Sequence, residues 1–260
     1  MALIDGARTV LRAEGVGMAF NAGEPGEVVA FRDISFELAE QETVAIVGPS
    51  GCGKSTLFNV IAGLIVPTSG AVHVNGERVS GARGHVGYML QKDLLLPWRS
   101  VIDNVVLGLE VKGVAREEAR RRARELILAY GLAGFEHAKP SELSGGMRQR
   151  VALMRTLALD PDVILLDEPF SALDFQTKLV LQQEMLRIIA ERRKSVLLVT
   201  HDIAEAITMA DRILVLSARP GTVRSVHRFD VPTESRDAIR IRRLPEFQAH
   251  FETIWQELQG

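Results

Sequence analysis

The sequence predicts an α/β fold: a parallel-sheet core, an antiparallel β flap ahead of it, and an α-helical subdomain inserted within it. Three observations lead there. Short aliphatic runs alternate with longer helical patterns over most of the chain. The runs at residues 163–166 and 196–199 are apolar at every position, as strands covered on both faces are, whereas half-exposed strands alternate. Between about residues 94 and 143 such runs stop and helical spacing takes over.

In chain order, residues 9–12 and 34–38 read as short, partly alternating strands around a Gly- and Glu-rich turn at residues 23–26, which makes the flap. Residues 43–47 form the first buried strand, followed by a glycine-rich loop and a helix over 57–64. Residues 86–90 form the next strand. In the insert, Ala119, Ala123, Leu126, Ile127 and Tyr130 fall on one helical stripe. Its arginines (Arg116, Arg120, Arg121, Arg122, Arg124) are interleaved with Glu117, Glu118 and Glu125, the pattern of a solvated face with local ion pairs. Met147, Val151, Met154 and Ala158 mark another helix. Strands at 163–166, 195–200 and 212–216 follow, separated by helices. From about Arg228 a strand and a helix are appended, with polar joints at residues 232–235 and at Pro245.

Composition removes several function classes. The 260 residues carry 31 Lys and Arg against 33 Asp and Glu, a net charge of −2, and only 5% aromatics. That balance argues against an electrostatic nucleic-acid or membrane-surface binder, and base-stacking platforms are scarce. No apolar stretch approaches the roughly 18 residues of a membrane span. Asp5 and Gly6 stand where an export signal would need a basic and then an apolar segment, so a cytosolic location is expected. One cysteine, Cys52, excludes an internal disulfide and fits a reducing compartment.

Gly48, Pro49, Ser50, Gly51, Cys52, Gly53, Lys54, Ser55 and Thr56 follow a strand and open a helix, which is the spacing and context of a phosphate-binding P-loop. The glycines let successive backbone N–H groups aim inward, and the helix presents its positive end to the same point. Lys54 adds a charge for β- and γ-phosphates, Ser55 a hydroxyl for Mg²⁺, and Thr56 a contact to the α-phosphate. Cys52 reads as a small tolerated loop residue rather than a nucleophile, because no base is placed near it. Further on, the run at 163–166 ends in Asp167 and Glu168. With a P-loop present, Asp167 is expected to hold Mg²⁺ through water and Glu168 to polarise the attacking water. Ser144, Gly145 and Gly146 open the helix that carries Met147 and Val151, with Ser144 as N-cap, which makes a second anion-binding helix terminus. Two such ends in one chain suggest a head-to-tail dimer in which the second closes over nucleotide held by the partner.

Over residues 9 to 230 the sequence closely resembles the nucleotide-binding subunit of an ABC transporter. The motifs stand in that family's order: the P-loop, Gln91 after a strand, Leu143 to Arg150, the Asp167 and Glu168 strand, Ser171 to Asp174, and Thr200, His201, Asp202. The resemblance implies a P-loop NTPase with a RecA-like parallel-sheet core, ATP and Mg²⁺ as ligands, and an ATPase domain over residues 1–230. The helical subdomain would lie at about 92–155, and residues 231–260 would be a C-terminal extension. It implies that Phe20 stacks on adenine, Gln91 contacts Mg²⁺ and water, Asp174 links the two sites of a homodimer, and His201 contacts the γ-phosphate. Met147 replaces a frequent Gln and Phe20 a frequent Tyr, and the stacking face survives the second change.

Leu94, Leu95, Leu96, Pro97 and Trp98 then become the expected contact with a separate integral-membrane permease, which places the chain on the cytoplasmic face of the cell membrane as a peripheral subunit. The same run, with residues 169–174, is similar to ATPase subunits of nitrate, taurine and alkanesulfonate importers. A periplasmic or lipid-anchored solute-binding protein is implied indirectly. Importers of pyrimidine or bicarbonate type share similar sequence. A soluble ABC ATPase of translation or repair would need two such domains or a long coiled-coil insertion, and a P-loop small-molecule kinase would leave Leu143 to Arg150 and His201 without a role.

Overall fold

Five parallel strands, in the spatial order Arg212–Leu216 (β9), Thr43–Val47 (β3), Ser195–Thr200 (β8), Val163–Asp167 (β7) and Gly87–Met89 (β6), make the core sheet of this computed structural model. It describes residues 8–82, 84–229 and 236–259. Val223–Arg228 (β10) pairs antiparallel with β9 at one edge. Every residue of β3, β7, β8 and β9 is buried, which is why these strands read as unbroken aliphatic runs. Successive side chains point to opposite faces: Val44 and Ile46 enter one hydrophobic cluster, Ala45 and Val47 the other.

The first cluster lies under a second, antiparallel sheet formed by Thr9–Phe20 (β1), Val28–Ala39 (β2), Ser69–Val74 (β4) and Glu77–Arg78 (β5), in the order β2-β1-β4-β5. The flap is antiparallel, as expected, but larger. β1 and β2 run 12 residues each, not four or five. Register shifts between Ala13 and Val16 and between Val16 and Met18 interrupt the alternation, so only fragments of each strand show a period of two. β4 and β5 escape the sequence reading because Ser69 and Gly70 start β4 exposed and β5 is only two charged residues long. A buried ion pair ties the two sheets together: Arg212 of β9 meets Glu42 at 2.9 and 3.0 Å and donates to the Glu37 carbonyl of β2.

Lys54–Ile61 (α1) starts three residues earlier than the apolar spacing suggests, because the glycine loop turns straight into helix. On the opposite face of the core sheet stand Val101–Val105 (α2), Leu107–Val111 (α3), Arg116–Ala129 (α4) and Gly145–Leu157 (α5). α4 buries Ala119, Ala123, Leu126 and Ile127, and Tyr130 is buried just beyond its end. Its other face carries the expected ion pairs of Glu118 with Arg121 and Arg122, and of Arg121 with Glu125. Exposed to water, these pairs add little to stability. Phe175–Arg192 (α6) and Ile203–Met209 (α7) complete this layer.

The appended strand is β10, and it ends at Arg228 instead of beginning there. Residues 236–259 hold a short 3-10 turn at Ile241–Arg243 and the helix Pro245–Gln259 (α8), with no strand among them. Phe247 and Ile254 of α8 join the main hydrophobic cluster beside α7 and β9. The joint at 232–235 and the opening residues Asp5 and Gly6 lie outside the described residues. No described helix is long and apolar enough to cross a membrane.

Candidate functional site

Because β3, β7 and β8 are parallel neighbours, their carboxyl ends lie together, and the loops that follow them converge on one crevice. A cleft of about 390 Å³ opens there, lined by Phe20, Val28, Ala30, Ser50, Gly51, Gly53, Lys54, Ser55, Thr56, Glu168 and Arg219.

The loop after β3 is shaped by its glycines. Gly51 and Gly53 adopt φ of +80° and +99°, and a Cβ on Gly53 would stand 2.9 Å from the Phe31 ring and 3.1 Å from the Ala30 carbonyl. Lys54 is buried and donates to the carbonyls of Gly48 at 2.7 Å and Pro49 at 3.0 Å, so those two residues hold the ammonium from behind and do not line the cleft. Cys52 also faces inward, 1% exposed, and a Cβ on Gly48 would meet its sulfur at 2.9 Å. Burial pushes the Cys52 thiol above its usual range despite neighbouring Lys54. A buried, raised thiol is a poor nucleophile, in line with the small-residue reading.

Asp167 closes β7 as a buried carboxylate. Ser55 donates to its Oδ1 at 3.2 Å and Tyr88 to its Oδ2 at 3.2 Å. Burial raises the Asp167 carboxyl, while those two donors and Lys54 oppose the rise and Glu168 adds to it. Tyr88 is raised too, by burial and then by the Asp167 charge. Among the described residues no group of three or more His, Cys, Asp or Glu is placed to hold a metal. The hydroxyl of Ser55 beside the Asp167 carboxylate is an all-oxygen pair, which suits Mg²⁺ completed by phosphate and water.

Glu168 leaves the strand in a left-handed conformation, φ +46°. Its N–H bonds the Val199 carbonyl at 2.8 Å, and its own carbonyl accepts from the Ser171 hydroxyl at 3.0 Å, which together hold this uncommon backbone. The turn aims its carboxylate away from Asp167 toward two other loops. Gln91 Nε2 donates to Glu168 Oε2 at 3.0 Å, and His201 Nδ1 lies 3.2 Å from the same oxygen. Gln91 and His201 thus reach the cleft through Glu168.

Ser144, Gly145, Gly146 and Asp174 are not in this cleft. Ser144 caps α5, its Oγ accepting from Met147 N at 3.3 Å; Asp174 caps α6, accepting from Gln176 N and Thr177 N at 3.1 and 3.0 Å. Those amide hydrogen bonds lower the Asp174 carboxyl. The two helix starts touch, since a Cβ on Gly146 would stand 2.9 Å from the Thr177 methyl. Within one chain the predicted residues therefore form two separate groups, one at the cleft and one at the paired starts of α5 and α6.

Two residues of the cleft region were missed by sequence reasoning. Tyr88 sits in the anticipated strand at 86–90, but its pairing to Asp167 needs β6 beside β7. Arg219 donates to the Gly51 carbonyl at 3.2 Å from a loop with no local signature.

The sequence model of the ABC transporter family matches residues 31–171. The nitrate import ATP-binding protein NrtD of Synechocystis is 42% identical over 242 residues, spanning 92% of this chain and 91% of its own. The taurine import ATP-binding protein TauB of Yersinia pestis is 43% identical over 230 residues, 86% of this chain and 89% of its own. Among solved structures, the dimeric structure of a bacterial ABC transporter cassette is similar at a TM-score of 0.75 and 33% identity, over 85% of this chain and all of that one. A second dimeric structure of that cassette, in a post-hydrolysis state bound to ADP and Pi, matches at a TM-score of 0.70 and 33% identity, over 82% of this chain and 98% of that one.

Proposed function

This chain belongs to the ABC transporter family, as an ATP-hydrolysing, ATP-binding subunit, and from that premise we propose how its residues divide the work and what it serves. The observation that carries the reading is the convergence of Lys54, Ser55 and Glu168 on one cleft, with Asp167 behind it on the Ser55 hydroxyl and Gln91 and His201 both on the Glu168 carboxylate.

Phe20 offers its ring to the base, and the backbone amides of the loop residues that line the cleft, Ser50, Gly51, Gly53, Lys54, Ser55 and Thr56, hold the phosphates together with the Lys54 ammonium. Ser55 and Asp167 would hold Mg²⁺, which would supply charge neutralisation to the bound phosphates. Glu168 orients and takes a proton from the attacking water, steadied by Gln91; His201 meets the γ-phosphate. Since Ser144, Gly145 and Gly146 lie away from the chain's own cleft, they serve nucleotide held by a second copy, with Asp174 linking the two sites. The permease contact is the surface around Leu94 and Trp98, which are 53% and 70% exposed, while Leu95 is buried. Working against that partner places the subunit on the inner face of the cell membrane. The names of the relatives support uptake of nitrate, taurine or a similar alkanesulfonate.

Glu168→Gln keeps the shape and removes the base. It is expected to bind ATP with near wild-type affinity, accumulate as an ATP-bound dimer on size exclusion, and turn over at least about a hundredfold more slowly. Wild-type turnover by that variant would remove Glu168 from its role. Co-purification from membranes with a permease, followed by solute binding to the associated binding protein, tests the importer assignment.

A further inference from the structure

His201 is 58% exposed at its side chain and touches Glu168 through one nitrogen, so its placement depends on the backbone that carries it. That backbone is bracketed. Ahead of it stands the last residue of β8, and after it the N-cap of α7: Asp202 N donates to Thr200 Oγ1 at 3.0 Å, and Asp202 Oδ1 accepts from Glu205 N at 3.1 Å. An N-cap needs only one of its oxygens. The other, Oδ2, is held at 2.6 Å by Lys178, which comes from α6 and also meets the buried Glu205 at 3.1 Å.

A lysine between two carboxylates in a mostly buried setting is an uneconomical way to add stability, because desolvation offsets most of the attraction. What it does supply is a fixed distance between two elements. Lys178 lies four residues after Asp174, one turn into the same helix, and its N–H bonds the Asp174 carbonyl at 2.9 Å. Burial pushes the Glu205 carboxyl up to about 7 against the opposing charge of Lys178. The Asp202 carboxyl, also pushed up by burial, ends below its usual range because of Lys178. The ammonium is shared unequally, 2.6 Å from Asp202 and 3.1 Å from Glu205, with Asp202 as the firmer anchor.

We propose that Lys178, anchored on Asp202 and Glu205, is a positioning residue that holds His201 against Glu168 and links it mechanically to the Asp174 end of α6. This rests on the assignment of His201 to the γ-phosphate. A shift of α6 at the Asp174 end is then transmitted through one half-buried ammonium to the loop that carries His201, so the reacting end of the site registers what happens at the helix start.

The test is a double-mutant cycle read by ATPase kinetics of the full chain, using Lys178→Met, Lys178→Arg, His201→Ala and the double variant Lys178→Met/His201→Ala. Lys178→Met is expected to lower kcat about tenfold with KM within about twofold, and Lys178→Arg to restore at least half of kcat. Adding Lys178→Met to His201→Ala should change kcat by less than about twofold, because the two act as a unit. A full tenfold loss in the His201→Ala background, an effect confined to KM, or wild-type kcat in Lys178→Met would each overturn the link. Full turnover by His201→Ala alone would instead overturn the γ-phosphate assignment. If Lys178→Met does not fold, Asp202→Asn enters the same cycle with the same expectations.

Discussion

The Tyr88 hydroxyl lies 3.2 Å from Asp167 Oδ2, and Ser55 holds the opposite oxygen of the same carboxylate at 3.2 Å. A buried acid that closes a strand is thereby satisfied from both sides before any ligand is considered, and one of its donors comes from β6, the edge strand of the core sheet. Tyr88→Phe keeps the ring against Phe58, whose centroid is 5.9 Å away, and removes only the donor. Its expected cost is about 1–3 kcal/mol, the range for a buried hydrogen bond to a charged partner. In a chain of this size that is a fall of roughly 2–12 °C in the thermal midpoint, read by differential scanning fluorimetry. An unchanged midpoint would mean that the hydroxyl is not bound to the carboxylate in solution.

Gly53 and Gly131 separate two kinds of glycine. Both have positive φ, but a Cβ on Gly53 meets the Phe31 ring and the Ala30 carbonyl within 3.1 Å, whereas a Cβ on Gly131 meets nothing within 4 Å. Gly131→Ala is expected to cost about 1 kcal/mol, the left-handed penalty alone. Gly53→Ala should cost about 2–4 kcal/mol and weaken ATP binding at least tenfold, because the loop must shift to make room. Denaturant melts and nucleotide titration of both variants check this, and equal effects would place Gly53 in a looser loop than described.

Cys52 alters what its neighbourhood in sequence suggests about labelling. A thiol inside a phosphate loop should be alkylated readily and protected by nucleotide. The structure buries it beneath the loop and raises it. Labelling by iodoacetamide at pH 7.5 is therefore expected to be at least tenfold slower than in the denatured chain, and to rise as pH climbs toward the raised thiol range. Fast native labelling, counted by mass spectrometry, would show that the loop opens.

Much of this architecture was legible because β3, β7, β8 and β9 bury every residue, and total burial writes itself as an aliphatic run. The flap was legible only in part. Bulges in β1 shift the period, and Gly70 lies too close to the Gly15 carbonyl for any side chain, so β4 begins without an apolar mark. The P-loop residues announce themselves because they are contiguous, as do Asp167 and Glu168 at a strand end. The meeting of Gln91, Glu168 and His201 does not, since each stands on a different strand's exit and only strand order brings them together. Tyr88, Arg219 and Lys178 were silent for the same reason.

The ends of the two sheets carry a consequence for how copies of this chain can meet. β5 is two charged residues, β6 is three residues long, and β10 shows Arg224 and Arg228 to solvent. β2 is bridged at Phe31 by Gly221, whose N–H and carbonyl bond Ala30 and Arg32. Short, charged or already bridged margins offer little template for strand addition, the usual route from exposed β edges to runaway aggregation. Association is left to side chains and helix starts, contacts that can form and release with each cycle while the hydrogen-bonded ladders stay intact.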